Sequence, residues 1–190
     1  MRALLVSEGK HEQSGALQTL VNRLAPMDIE FELDRVSRSD IHAHHGKGRG
    51  YFKRAVRWLG EAKKQGFDAL ILVIDEDGRR ERISEFNQAQ QYEKIDLRRA
   101  FGVAIRTFDA WMLADERALT SVLGYPVARQ ANPEEIEDPK QRCTDLHKAS
   151  QKQEALRDIY ACLAKAVDIP VLEARCPKGF APFASRVRFL

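Results

Sequence analysis

Three acidic residues follow two apolar segments of the chain, and their types and spacing suit the binding of a divalent metal ion. Glu8 comes directly after residues 2–7, and Asp75 and Asp77 follow the apolar run 69–74. Side chains two residues apart in extended backbone point the same way, so the two aspartates are expected to converge. Grouped carboxylates repel one another unless a positive charge lies between them, and oxygen-only ligands favour Mg²⁺ or Mn²⁺ over Zn²⁺. The three acids are therefore candidate metal ligands and catalytic residues.

Asp109 is a fourth candidate ligand, because it lies just past the apolar segment 101–105, in the first turn of the helix predicted next. A structural interpretation of the same corners stays open. In it, Asp77 forms a turn with the glycine after it, and Asp75 or Asp77 caps the helix that follows. Glu12 is interpreted as stabilising the start of the first helix through the helix dipole.

Positive charge is concentrated between His42 and Arg57, where five basic residues and three histidines occur without an acid. A stripe of this kind can neutralise the phosphates of a nucleic acid. The alternative is a solvated helix face preceded by a basic loop. Lys10, in the turn that leads to the first helix, is a candidate contact and catalytic residue near the acids. The candidate nucleic-acid-binding residues are Lys47, Arg49, Lys53, Arg54 and Arg57.

The composition is that of a globular protein, with 44% hydrophobic and 31% charged residues and a net charge of +3. A chain of 190 residues fits one domain with a sizeable core. No apolar run reaches the roughly 20 residues of a membrane helix, and the apolar start is too short for a signal peptide. The three cysteines form no close pair, as is usual in a reducing compartment. We therefore expect a cytoplasmic protein with no membrane segment.

Hydrophobic periodicity predicts alternating strands and helices in the first part of the chain. The run 69–74 is apolar on both faces, which predicts a central strand covered by helices on both sides. Thr107 is the expected cap of a helix in which Trp111 packs in the core. The alternation indicates an open, mostly parallel α/β sheet, in which ligands bind beyond the carboxyl ends of the strands. The predicted strands are 2–7, 29–36, 69–74 and 101–105, and the predicted helices are 11–24, 51–65, 79–91 and 108–123.

The chain changes character beyond this alternating region. Residues 131–142 are rich in Pro, Glu and Asp and are expected to form an exposed connection. An amphipathic helix is predicted over 152–167, and the tail from Pro170 is apolar enough to pack back on the domain. We therefore expect an α/β core over residues 1–124 and a small helical extension over 125–190, packed together as one unit.

Two motifs together resemble the TOPRIM fold. They are the segment 7–12 (SEGKHE), after the first strand, and the segment 75–78 (DEDG), after the central strand. That fold is shared by primases, type IA and type II topoisomerases, small ribosomal-RNA maturases and OLD-type nucleases. The segment 107–115 (TFDAWMLAD) is similar to an acid-Ala-Trp-x-Leu-Ala-Asp signature in a poorly characterised family of bacterial TOPRIM-like proteins. Members of that family often accompany an ABC- or SMC-like ATPase, and some look like anti-phage defence effectors.

The resemblance implies that Glu8, Asp75 and Asp77 surround one or two Mg²⁺ ions for phosphoryl transfer. It implies a nuclease acting on DNA or RNA as the effector of an ATPase-coupled defence or repair system. The alternative that it leaves open is a catalytically weak or inactive sensor subunit that docks an ABC-type ATPase. Two positions depart from the patterns. The smaller family usually has Glu in place of Asp109, and Arg79 stands where many topoisomerases have a third Asp.

Overall fold

The centre of the molecule is a sheet of four strands, which are β1 (Arg2–Ser7), β2 (Glu30–Arg35), β3 (Ala69–Asp75) and β4 (Arg98–Ala104). All neighbouring strands are parallel, and their spatial order is β2-β1-β3-β4. The structure is a computed structural model that describes residues 1–9, 12–36 and 50–190. The predicted parallel α/β sheet is therefore confirmed, with β3 in the interior as expected.

Nine α-helices and two short 3₁₀ turns accompany the sheet within the described residues. None of these helices is both long enough and apolar enough to cross a lipid bilayer. The 3₁₀ turns are Glu12–Ser14 and Pro133–Glu135. The helices are α1 (Ala16–Leu24), α2 (Tyr51–Lys64), α3 (Glu81–Gln90), α4 (Asp109–Met112), α5 (Glu116–Leu123), α6 (Pro139–Ala149), α7 (Leu156–Ala166), α8 (Ile169–Arg175) and α9 (Phe180–Arg188).

Side chains along the strands alternate between two hydrophobic clusters, one on each face of the sheet. On one face, Leu70 and Leu72 of β3 belong to the same cluster as Trp58 of α2 and Phe86 of α3. On the other face, Ile71 belongs to the cluster that includes α1 and the helices from α4 onward. Because both faces are covered, successive residues of β3 are buried, which explains its uninterrupted apolar sequence.

The C-terminal helices complete the second face, so the expectation that the tail packs back on the domain is confirmed. Phe183 of α9 lies so close to Gly102 of β4 that a Cβ atom on residue 102 would come within 2.8 Å of the ring. Trp111 stacks on Phe183 with ring centroids 5.6 Å apart, which confirms the core role predicted for Trp111. The sequence pattern does not predict α8 and α9, because helices this short give little periodic signal.

The single helix predicted over 108–123 is wrong, since α4 and α5 are separated by a break. Asp115 ends the break as the cap of α5. Its Oδ1 accepts the backbone N–H groups of Arg117 at 2.9 Å and Ala118 at 3.2 Å. Its Oδ2 accepts the backbone N–H of Asp168 at 3.0 Å, just before α8. These three bonds explain how a buried carboxylate is tolerated on an otherwise apolar stripe.

Most residues of the connection predicted over 131–142 are exposed as expected, but the segment is not irregular, because it contains a 3₁₀ turn and the start of α6. Glu134 in that turn is buried. Its carboxylate accepts the backbone N–H groups of Lys178 at 3.1 Å and Gly179 at 2.6 Å. The connection is therefore attached to the start of α9 and forms part of the packed structure.

Replacing Gly102 with alanine should lower the free energy of unfolding by about 1–3 kcal/mol, because the added methyl group overlaps the ring of Phe183. Gly60, within α2, is the matched control. A Cβ atom there would lie 3.9 Å from the nearest side-chain atom, so alanine should stabilise the helix by about 0.5–1 kcal/mol. Urea unfolding of both variants measures the two effects. Equal effects of the same sign would contradict the close contact between β4 and α9.

Candidate metal centre

The acids lie at the carboxyl edge of the sheet, between β1 and β3. The chain leaves β1 towards β2 and leaves β3 towards β4, so the connections diverge and a crevice opens between the two strand ends. Glu8 directly follows β1, and Asp75 ends β3. The Oε2 atom of Glu8 accepts the backbone N–H of Asp75 at 3.0 Å. The two strand ends are therefore joined through one of the predicted ligands.

A pocket of about 420 Å³ opens at this edge. Three of the four predicted ligands, Asp75, Asp77 and Asp109, line it together. Glu12 and Lys140 also line it, and neither was predicted as a site residue. The other described residues of the lining are Gly9, Thr107 and Phe108.

Asp75 and Asp77 reach the pocket by different backbone paths. The strand stops at Asp75, and Asp77 has a left-handed φ of 50°, so the two residues do not share one extended segment as predicted. Asp75 Oδ1 accepts the backbone N–H of Phe108 at 2.7 Å. Asp75 thus binds an N–H at the start of α4, which follows the neighbouring strand. The predicted cap at Thr107 is wrong, because this carboxylate takes the role and the hydroxyl of Thr107 has no partner among the described residues.

Glu8 lies beside the pocket, with both of its oxygen atoms engaged. Oε1 accepts the hydroxyl of Tyr51 at 3.3 Å. Oε2, which binds the Asp75 amide, also lies 3.6 Å from Nη1 of Arg82. Arg82 is buried, and the same Nη1 lies 2.9 Å from Oδ2 of Asp77. Nothing in the sequence pattern marks Arg82, because it stands in a polar helix where an arginine is ordinarily exposed.

Glu12 points into the pocket and is only 5% exposed. A Cβ atom on residue 9 would overlap the Glu12 carboxyl group, so Gly9 is what allows this close approach. Oε2 of Glu12 has no hydrogen-bond partner among the described residues. The predicted helix-dipole role does not account for such a buried, unpaired oxygen. The only feature of the sequence that could have pointed to Glu12 as a pocket residue was its position four residues after Glu8.

The described lining of the pocket brings together four carboxyl groups and one lysine. Burial raises the pKa of Asp75 to about 8, and the carboxylate of Glu12 raises it as well. Burial likewise raises the pKa of Glu12 to about 7, with a further contribution from Asp109. A cation that entered the pocket would favour the charged form of both groups. The pocket therefore contains two carboxyl groups whose charged forms are destabilised by burial and by neighbouring acids.

Asp109 is held by the C-terminal part of the chain. It is buried at the start of α4, and its Oδ1 accepts the hydroxyl hydrogen of Tyr160 from α7. Burial raises the pKa of Tyr160 far above its ordinary value, so the phenol stays neutral and remains a donor. Since Oδ1 is committed to Tyr160, Oδ2 is the oxygen that Asp109 can offer to a ligand in the pocket.

The predicted basic residues are divided between described and undescribed parts of the chain. The helix α2, which carries three of them, begins at Tyr51 beside Glu8. Lys53 and Arg57 are exposed on it, and the guanidinium of Arg54 lies 4.6 Å from the centre of the Tyr51 ring. The other three candidates, Lys10, Lys47 and Arg49, lie outside the described residues.

In residues 1–9, 12–36 and 50–190, no group of three or more His, Cys, Asp or Glu side chains is arranged as a ready metal-ligand set. Comparison of the chain with protein-family models, with curated proteins and with solved structures found no match. The fold class that the structure shows is α/β, with a parallel four-stranded sheet of the Rossmann-like kind flanked by helices. The TOPRIM resemblance stays a prediction made from the motifs.

The metal-free protein should lose stability as the pH rises from about 4.5 to about 8, because Glu12 and Asp75 have raised pKa values in the folded state. Over this range the folded protein binds more protons than the unfolded chain. The stability that these protons contribute is lost as the pH passes the folded-state pKa values of Glu12 and Asp75. Glu12→Gln should raise the free energy of unfolding at pH 8 by something on the order of 2 kcal/mol.

Urea unfolding in EDTA across this pH range measures the effect. Glu93→Gln, which changes an exposed acid at the opposite edge of the sheet, is the control and should keep the wild-type pH dependence. A Glu12→Gln profile identical to wild type would contradict the burial of that carboxyl group.

Proposed function

We propose that the chain is a TOPRIM-like nuclease that hydrolyses phosphodiester bonds in nucleic acid with Mg²⁺ or Mn²⁺. The observation that supports this most directly is the pocket itself. Asp75, Asp77 and Asp109 line it together with Glu12, whose buried Oε2 atom has no partner among the described residues. A hard divalent cation would satisfy that oxygen and offset the charge of its neighbours.

The donor set fits such an ion. Glu12, Asp75 and Asp109 can each offer a carboxylate oxygen, and no His, Cys or Met side chain is among the described residues that line the pocket. Mg²⁺ usually keeps several water molecules and needs only one or two carboxylates, so a loosely gathered set of acids is sufficient. Asp77 is a further possible ligand, although its Oδ2 is engaged by Arg82. Glu8 contributes by joining β1 to β3 through the Asp75 amide.

The pocket also offers a group for the phosphate. Lys140 lines the pocket from the first turn of α6 and is exposed. It forms no ion pair with any described residue, although several acids lie in the same lining. An ammonium group so placed can bind a non-bridging phosphate oxygen as a point charge. When bound, the ion would stabilise charge on the phosphoryl group and make a bound water more acidic.

The helix α2 supports nucleic acid as the substrate. Its first residue, Tyr51, contacts Glu8, and Lys53 and Arg57 lie exposed on its first turns. Cations close to the pocket can bind the backbone on either side of the scissile phosphate without reading its sequence. Lys47, Arg49 and Lys10 belong to the same proposed surface by sequence alone.

An ABC- or SMC-like ATPase partner and a role in defence or repair are proposed from the resemblance of the segment 107–115. In this proposal the chain is the effector and the partner controls it. The alternative is that the chain mainly docks the ATPase and cuts weakly or not at all.

Asp75→Asn should weaken Mn²⁺ binding at least tenfold and abolish cleavage, because it removes a charge from the centre of the donor set. Mn²⁺ titration followed by electron paramagnetic resonance measures the binding, and plasmid nicking and RNA cleavage measure the activity. Glu93→Gln is the control for loss of one exposed negative charge. Equal Mn²⁺ affinity in the two variants would contradict the proposed site. Mn²⁺ binding without cleavage of either substrate would favour the docking alternative.

Lys53→Gln should make nucleic-acid binding less dependent on salt. Each lost phosphate contact is expected to reduce the slope of log K against log salt by about 0.9 for double-stranded DNA. Lys64→Gln, in the last turn of the same helix, is the matched control and should leave the slope unchanged. Fluorescence anisotropy at several salt concentrations, in Ca²⁺ to prevent cleavage, measures both. Equal slopes for the two variants would show that the first turns of α2 do not contact the backbone.

A further inference from the structure

Arg82 places one nitrogen atom among oxygen atoms from both strand ends. Its Nη1 donates to the backbone carbonyl of Asp75, lies 2.9 Å from Oδ2 of Asp77 and lies 3.6 Å from Oε2 of Glu8. Two of these oxygens carry negative charge, and all three are hard ligands of the kind that surrounds a divalent cation. The positive charge thus occupies the position between Glu8 and Asp77 that the sequence motifs assign to a metal ion.

The guanidinium is built into this position. The side chain of Arg82 is 5% exposed, and its guanidinium carbon lies 4.4 Å from the centre of the Tyr51 ring. The hydroxyl of Tyr51 donates to Glu8, so the ring and the acid hold the arginine from two sides. The carboxylates are less buried than the arginine, with Glu8 22% and Asp77 49% exposed, so it is the guanidinium that would be left buried and uncompensated if the pair were separated.

We propose that Arg82 is a resident counter-ion that takes the place of a second divalent cation, so that the centre binds one ion per chain. That ion would lie on the side of the pocket lined by Glu12, Asp75 and Asp109, away from the guanidinium. Two-metal sites hold their ions about 3.5–4 Å apart and clamp both oxygens of the displacement. Here Arg82 is a positioning residue, which orients Glu8 and Asp77 and supplies the second positive charge permanently. This inference rests on the proposed function only for the one ion that the wild-type pocket binds.

Counting bound Mn²⁺ in wild type and in Arg82→Met tests the proposal. Wild type should bind one ion per chain at saturation. Arg82→Met exposes the oxygens of Glu8 and Asp77 to a cation, so it should bind one additional ion, and Mn²⁺ should raise its melting temperature more than that of wild type. Arg82→Lys keeps the charge and should bind the wild-type number. Equilibrium dialysis with metal analysis gives the stoichiometry, and thermal melts with and without Mn²⁺ show whether each variant is folded.

The double variant Glu8→Gln, Arg82→Met separates the new site from a general gain in negative charge. It lacks both members of the pair, so the additional ion should be lost again while the fold is retained. Two ions in wild type, or no additional ion in folded Arg82→Met, would overturn the proposal.

Failure of the proposed function gives a different pattern. If wild type binds no Mn²⁺ at all, the acidic pocket is not a metal centre. In that case a single Mn²⁺ ion bound to Arg82→Met would still support the role of Arg82. Absence of bound Mn²⁺ from both wild type and Arg82→Met would overturn that role.

Discussion

Repulsion between carboxylates at the carboxyl edge of the sheet is the constraint on which the other features of the site depend. Two strand ends and a helix start bring these acids together, while one buried guanidinium lies among them. Glu8 and Asp77 are compensated by Arg82, whereas Glu12 and Asp75 form no ion pair with a described residue, and burial and like charge raise the pKa of both. The strand order brings the acids together, because the chain connections diverge between β1 and β3 and open a crevice where the acids that follow these two strands lie.

Much of the fold could be predicted from local pattern. The apolar runs before Glu8 and Asp75 are short, buried and bounded by acids and glycines, so they predict parallel strands with nearly correct limits. Beyond Thr107 the prediction is poorer for a physical reason. The helices there are short and are held by bonds between distant segments, such as the carboxylate of Glu134 with the amide of Gly179. Periodicity within one segment carries no information about such partners.

The site could be predicted in part. Asp75, Asp77 and Asp109 line one pocket because each follows the carboxyl end of a strand, which is a rule of topology. Which additional groups reach that pocket depends on side-chain packing. Glu12 enters it because Gly9 leaves room, and Lys140 arrives from a helix that the composition of its segment concealed. The buried position of Arg82 depends in the same way on the ring of Tyr51.

The bond between Tyr160 and Asp109 has a consequence for the order in which the protein is made. The strands and acids of the sheet emerge from the ribosome first, but the hydroxyl that orients Asp109 belongs to a helix synthesised about fifty residues later. Domains generally fold as units. Because the later helices also cover one face of the sheet, that face and the pocket are completed together. Completion of the pocket therefore waits for the synthesis of α7.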